Sequence, residues 1–193
     1  MSVMRARRWR RERPALAARL ARVVACVAVV AGFAAWGALA QAQAVASAPD
    51  STRKNWYNDP FFALSSAINA CPQPLGPLMT KAEADDDAHY RAERGTTCWL
   101  AHKCSKPNSY LYDADIAAAI RRQLQGDAIF VGTSVWITVQ RRFVYAEGCV
   151  PEGFDSAALE RKLTASPDVE QVFVRVTSDP RGALPYKALS SAP

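Results

Sequence analysis

The sequence lacks the short motifs that mark most cofactor and nucleophile sites. It has no Cys-x-x-Cys-His string, which excludes attachment of a c-type haem, and no Gly-x-Ser-x-Gly string for a hydrolase nucleophile. A glycine-rich phosphate loop is missing as well, and the only histidines are His89 and His102. We therefore predict a protein that is not an enzyme and has no catalytic residues and no cofactor.

Outside the N-terminus the chain has no excess of basic residues over acidic ones. The first 44 residues contain eight arginines and one glutamate, a net charge of +7, whereas the whole chain carries +6. Residues 45–193 are thus close to neutral, at about −1. The basic charge belongs to the N-terminus, so it does not indicate a nucleic-acid partner.

The arginine-rich start is followed by VVACVAVVAGFAAWGALA, which has no charged residue. Overlapping Ala-x-Ala sites begin at Ala38, and this order is typical of a secretory signal peptide. We predict a signal peptide over residues 1–44, cleaved between Ala40 and Val45, and export to the periplasm. The alternative is an uncleaved inner-membrane anchor, because about 18 apolar residues can just span a bilayer.

Removal of Cys26 with the signal leaves an even number of cysteines: Cys71, Cys98, Cys104 and Cys149. An even number in an exported chain predicts disulfides, with three possible connectivities. If TTCWLAHK is helical, Cys98 and Cys104 lie about 9 Å apart along the axis, too far for one bridge. That argument favours separate partners for these two cysteines.

The spacing Cys98-x-x-x-His102-x-Cys104 also allows a zinc site, with Cys71 or Cys149 as the fourth ligand. A cysteine nucleophile next to His102 or His89 is a second alternative. Both require a free thiolate, which an oxidising compartment disfavours. We predict no metal site.

The chain after the signal begins with a small, polar stretch, and we predict a flexible arm over residues 45–58. Asp59-Pro60 and the apolar spacing that follows predict a short helix to Ala70. A capping box, Thr80 to Glu83, predicts a polar helix that runs to Arg94, with Gly95 as its C-terminal cap. Residues 59–110 are therefore expected to form a mainly helical extension that contains cysteines.

From residue 113 the pattern changes to short, regular elements. Asp113 begins an amphipathic helix that ends near Gly126, and SVWITVQ and FVYAEGCV alternate as a hairpin does. If Arg141-Arg142 is the loop, the apolar faces coincide, although this pair suits a two-residue turn poorly and favours a longer loop. A helix from Asp155 to Ala165 and a strand over residues 170–177 follow. The order helix, strand, strand, helix, strand predicts a small α+β layer, with a mobile tail over residues 179–193.

Four stretches carry a family resemblance: DADIAAAIRRQL, WITVQRRFVYAEGCV with Gly148 and Val150, ALERKL, and DVEQVFVRV with Val169 and Val172. Through these four stretches, the region 111–178 resembles the BON domain of bacterial envelope proteins. The family usually has glycine at the positions of Arg142 and Asp168, and leucine at that of Ala146. The resemblance implies a periplasmic, phospholipid-associated or envelope-maintenance module without catalytic residues.

Two helices can cover only one face of a three-stranded sheet. The other face would present aromatic side chains: Trp136, Phe143, Tyr145 and Phe173. Cys149 lies on that face, and every complete pairing ties it to the N-terminal segment. We therefore predict that the N-terminal segment covers this face, with Trp99 and Leu100 pressed onto the sheet.

The leading hypothesis is a non-enzymatic envelope protein that binds phospholipid headgroups or an envelope partner. Arginine pairs suit phosphate recognition, and the candidate contacts are Arg121, Arg122, Arg141 and Arg142. The alternative is a protein-interaction or assembly module of a secretion or surface apparatus. A third possibility is an enzyme that uses the segment containing cysteine and histidine. The sequence does not indicate an oligomeric state.

Overall fold

Four strands form one mixed sheet in the computed structural model, which describes residues 52–191. Across the sheet they are β1 (Phe61–Ala63), β2 (Ser134–Gln140), β3 (Phe143–Cys149) and β4 (Gln171–Thr177). The β1/β2 and β2/β3 pairs are antiparallel, and β3/β4 is parallel. Three α-helices accompany them: α1 (Lys81–Leu100), α2 (Asp113–Leu124) and α3 (Ser156–Thr164). The predicted α+β class is confirmed.

Residues 52–191 belong to one compact unit. The predicted signal peptide and residues 45–51 lie outside the described residues. Within residues 52–191, no helix combines the length and the apolar character that crossing a membrane requires.

The main core lies between the sheet and α2 and α3. Alternation along β2 directs Val135, Ile137 and Val139 to this side, and all three are fully buried. Their β3 partners are the ones that the pattern predicts, with Val139 opposite Val144. The helices contribute buried side chains at helical spacing: Ile116, Ile120, Leu159 and Leu163.

The β2/β3 hairpin has the two-residue loop on which the predicted register was based, and the alternative of a longer loop is wrong. Arg141 and Arg142 both have positive φ, 49° and 69°, as this type of turn requires. The carboxylate of Asp113 compensates for the unfavourable residue types: its two oxygens accept hydrogen bonds from the Arg141 and Arg142 amides, each at 2.7 Å. The first residue of α2 thereby fixes the hairpin tip.

The short helix predicted between Asp59 and Ala70 is wrong, because this segment extends the sheet. Phe61–Ala63 pairs with β2, and the Leu64 and Ala67 amides continue to donate to β2-side carbonyls. Phe62 packs against the core, whereas Phe61 lies on the other face, where Gly76 leaves space for its ring. The free edge of β2 thus outweighs a weak local helical preference.

Helix α1 begins with the predicted capping box at Thr80 and Glu83 but continues to Leu100, beyond the predicted end. Gly95 is not the C-cap. It lies inside the helix, where a Cβ atom would come within 2.5 Å of the Asn108 side chain. This close approach brings the segment after the Cys98–Cys104 loop onto α1.

The predicted flexible arm is ordered over residues 52–58, where its aromatic side chains bind α1. Tyr57 donates to the Ala84 carbonyl at 2.5 Å, and the Arg91 guanidinium stacks between the Tyr57 and Tyr110 rings. Arg91 also binds both carboxylate oxygens of the buried Asp59, at 2.8 and 2.9 Å. The predicted arm therefore contacts α1 through Tyr57, and the next segment adds the ion pair between Asp59 and Arg91.

The expectation of a mobile tail is wrong for residues 179–191. Tyr186 is only 7% exposed and donates to the Pro72 carbonyl at 2.9 Å. The Leu75 amide donates to the Lys187 carbonyl at 2.7 Å, and Ala188 is buried. The chain end therefore pairs with a segment more than one hundred residues earlier, a contact that local composition does not reveal.

The second face of the sheet is partly covered, and by two segments, whereas the sequence predicted that the N-terminal segment alone would cover it. Cys71 and Cys149 lie at disulfide distance, 2.03 Å between their sulfur atoms, which holds the residues after Cys71 over this face. The C-terminal segment around Tyr186 packs beside them. On the sheet itself, Tyr145 stacks on Phe173 with ring centroids 5.0 Å apart.

Candidate anion-binding groove

Cys98 and Cys104 lie at disulfide distance from each other, so the prediction of separate partners is wrong. Helix α1 ends at Leu100, and the His102 and Lys103 amides turn back to donate to the Trp99 and Cys98 carbonyls, at 2.9 and 2.8 Å. His102 has the left-handed conformation, with φ of 55°, that this helix-ending motif requires and that glycine usually provides. The turn brings the two Cα atoms to 5.6 Å.

We call residues 98–104 the tip loop. The residues next to it are held by Tyr112, whose hydroxyl accepts hydrogen bonds from the Ser105 and Lys106 amides, at 2.9 and 2.7 Å. Ser109 donates to the Gly95 carbonyl at 3.1 Å. Trp99 and Leu100 are exposed, so the prediction that they press onto the sheet is wrong.

A groove of about 380 Å³ separates the end of α1 from the β2/β3 hairpin. One wall carries α1 and tip-loop residues and the facing wall carries the hairpin loop. The lining residues are Arg94, Thr97, Cys98, Ala101, Lys103, Ser109, Arg141, Arg142, Phe143 and Glu170. Four of these side chains are cationic and one is anionic, and we call this the basic groove.

The cations of the basic groove differ in how far they are neutralised. Arg94 forms an ion pair with Asp87, and Arg142 lies 3.5 Å from Glu170 while its Nε donates to the Asp168 carbonyl at 2.8 Å. The Arg141 guanidinium lies over the Phe143 ring, 4.4 Å from its centroid. In the described part of the chain, neither Arg141 nor Lys103 has a carboxylate within ion-pairing distance. Two positive charges therefore remain available to an anion.

Asp113 lies beneath this site and couples it to the core. Its side chain is buried, with 2% of the residue exposed, and burial raises its pKa to about 6. The hydrogen bonds from the Arg141 and Arg142 amides lower the pKa but offset burial only in part. The hairpin tip thus depends on a carboxylate that is costly to keep ionised.

The structure separates the two predicted arginine pairs. Arg121 lies eight residues along α2 from Asp113, about 12 Å of helix rise, and its guanidinium stacks on Phe62 at 3.7 Å. Arg122, next to it, is exposed. Of the four predicted contact residues, only Arg141 and Arg142 line the groove. Sequence reasoning missed their partners Arg94 and Lys103, although the absence of acidic residues from 94 to 112 was a visible signal.

A second cleft, of about 210 Å³, lies on the other face of the sheet. Glu147 and Arg175 line it and pair with each other at 3.4 Å. Burial raises the pKa of Glu147, and Arg175 opposes this shift. Because its central charges are mutually satisfied, this cleft is less suited to a charged ligand than the basic groove.

The thiols of the alternative zinc and nucleophile sites lie in the two cysteine pairs at disulfide distance. His102 is exposed at the end of α1, where its role is to end the helix. Among residues 52–191, no three His, Cys, Asp or Glu side chains come together in a group that could hold a metal ion. The chemistry that the basic groove offers is the binding of an anion.

No protein-family model matches the chain, and neither does any curated protein or solved structure that was compared with it.

Proposed function

We propose that this chain is an exported, non-enzymatic envelope protein that binds the phosphate groups of anionic phospholipids through the basic groove. The observation that carries the proposal is the groove itself, which Arg141 and Lys103 both line and where neither forms an ion pair with a carboxylate of residues 52–191. Guanidinium groups bind phosphate through paired hydrogen bonds, and a neighbouring ammonium adds charge. The Phe143 ring in the wall suits the apolar part of such a ligand.

Two backbone positions support the proposed BON-like character of residues 111–178. The BON family usually has glycine where this chain has Arg142 and Asp168, and here both residues have positive φ, 69° and 63°. Positive φ costs free energy in non-glycine residues, and glycine adopts it readily, so a glycine would suit both positions, as the proposed resemblance implies. Arg142 also binds the Asp168 carbonyl, which links the two positions. Export to the periplasm is proposed from the N-terminal sequence.

Co-sedimentation with vesicles tests the proposal. Phosphatidylcholine vesicles with and without phosphatidylglycerol are compared for the wild type, for Arg141→Glu/Arg142→Glu and for the milder Arg141→Gln/Lys103→Gln. The matched control is Arg121→Glu/Arg122→Glu, which makes the same charge change at the other end of α2. Thermal unfolding confirms that each variant is folded.

We expect both groove variants to lose most of their binding to anionic vesicles, while the control binds like the wild type. Each cation near an anionic surface contributes about 1 kcal/mol, so the Gln variant should bind at least tenfold more weakly. Equal loss in the control would show that only net charge matters. Absence of binding by all proteins would reject lipid recognition and favour the assembly-module alternative.

A further inference from the structure

Large apolar side chains protrude beside the basic groove, on the tip loop and next to it. Trp99 and Leu100 are 45% and 72% exposed, and Leu111, in the turn that precedes α2, is 54% exposed. Lys106, two residues after the tip loop, donates from its Nζ to the Leu111 carbonyl at 3.0 Å. Single exposed apolar residues are ordinary on a protein surface, but two adjacent ones at a helix end, with a third nearby, are not.

The tip loop presents these side chains on a fixed backbone. The Cys98–Cys104 pair closes it, the helix-ending turn at His102 sets its direction, and Tyr112 binds the amides that follow. The groove-lining residues of α1 lie on one helical face. Trp99 and Leu100 lie about 100° and 200° around the axis from Cys98, so they protrude beside the groove without filling it.

The charge around the tip selects an anionic occupant. From Arg94 to Tyr112 the chain has three cationic side chains and no acidic one. Arg94 pairs with Asp87 and Lys106 with Asp115, so Lys103 is the cation of this segment that has no ion pair among the described residues. The preceding turns of α1 are strongly acidic by contrast, with Glu83, Asp85, Asp86, Asp87 and Glu93. The cationic, apolar character is therefore confined to the end of the helix.

The shape favours a bilayer over a protein partner. A stable protein interface buries about 800 Å² on each side, in a continuous and complementary patch. Three exposed apolar side chains do not form such a patch. A bilayer interface accepts isolated projecting groups, and it favours tryptophan at the headgroup level together with cations that contact lipid phosphates.

We propose that the tip loop inserts Trp99 and Leu100 into the interfacial region of an anionic phospholipid membrane, while the basic groove receives a lipid phosphate. This inference rests on the proposed function of the groove and adds the way in which the protein approaches the membrane.

Fluorescence quenching tests the insertion directly. The full-length chain is expressed for export and purified from the envelope, and its intact mass defines the N-terminus of the material. Vesicles of phosphatidylcholine and phosphatidylglycerol carry bromine on their acyl chains. We expect quenching of tryptophan emission that is lost in Trp99→Phe, a variant that keeps an apolar ring. Trp99→Ser/Leu100→Ser should bind vesicles about tenfold or more weakly, whereas Val131→Ser, at a residue 77% exposed, should bind like the wild type.

The two proposals fail in different ways. Binding of Trp99→Ser/Leu100→Ser that equals the wild type, or quenching that persists in Trp99→Phe, overturns insertion. Binding of deacylated phosphatidylglycerol without binding of vesicles also overturns insertion but leaves the groove intact. If instead Trp99 is quenched and Arg141→Glu/Arg142→Glu binds vesicles normally, the tip inserts and the proposed function of the groove is wrong.

Discussion

Replacement of Asp113 by Asn tests how the hairpin tip is held. In the wild type, both carboxylate oxygens accept hydrogen bonds from the Arg141 and Arg142 amides. An asparagine keeps one acceptor and turns an NH₂ group toward the other amide, so one hydrogen bond is lost. The substitution also removes the titratable group of this side chain. The contribution of residue 113 to the pH dependence of the protein's stability is therefore lost.

The magnitude follows from the pKa of Asp113, which burial raises from 3.8 to about 6. A raised pKa means that the folded protein binds the proton more tightly than the unfolded chain. The resulting stabilisation is complete below the unfolded value of 3.8 and is lost as the pH rises through about 6. At 1.36 kcal/mol for each pKa unit, this amounts to about 3 kcal/mol.

Urea unfolding of both proteins between about pH 4 and pH 8 measures this contribution. The free energy of unfolding of the wild type minus that of Asp113→Asn is expected to fall by about 2 kcal/mol across the range, because the full stabilisation is reached only below pH 3.8. The other titrating groups cancel in this difference. A difference that stays constant, or that grows with pH, would refute the idea that the hairpin tip rests on a desolvated carboxylate.

Two further predictions concern the covalent and ionic contacts. Cys71→Ser/Cys149→Ser removes a bridge between residues 78 apart, and Cys98→Ser/Cys104→Ser one between residues six apart. Denaturant unfolding should show losses of about 4.5 and about 2.4 kcal/mol, and a larger loss for the short loop would contradict the chain-entropy argument. Arg91→Ala leaves the buried Asp59 carboxylate without its cation and should lower the free energy of unfolding by about 3 to 5 kcal/mol. Lys81→Ala breaks the exposed ion pair with Asp85 and should lower it by less than about 1 kcal/mol in the same assay. Similar losses for these two variants would contradict the role given to Arg91.

The sequence was most informative where neighbouring residues decide the structure. Alternation along β2 and β3 predicted the register, and a capping box predicted the start of α1, because both are local patterns. The strand at Phe61–Ala63 was missed because its hydrogen bonds come from the edge of β2, far away in the chain. The ordered C-terminal segment was missed for the same reason, since Tyr186 depends on Pro72.

The sequence predicted one wall of the basic groove and missed the other. Arg141 and Arg142 stood out as a pair at a hairpin tip, and the structure places them in the groove wall. Their partners on α1 depend on where that helix ends, and it ends at a histidine in a conformation that usually requires glycine. A left-handed residue without glycine gives no signal in the sequence. The pairing of Cys98 with Cys104 was missed for the same reason, because it is the turn at His102 that brings the two cysteines together.

The most direct measurement of the central claim is a titration of the isotope-labelled protein with deacylated phosphatidylglycerol, followed by amide NMR shifts. The account predicts saturable shifts at the amides of Arg141 and Arg142 and in the tip loop, and none at Arg121 and Arg122. The absence of saturable shifts at the groove, or shifts centred on α2 near Arg121, would contradict it.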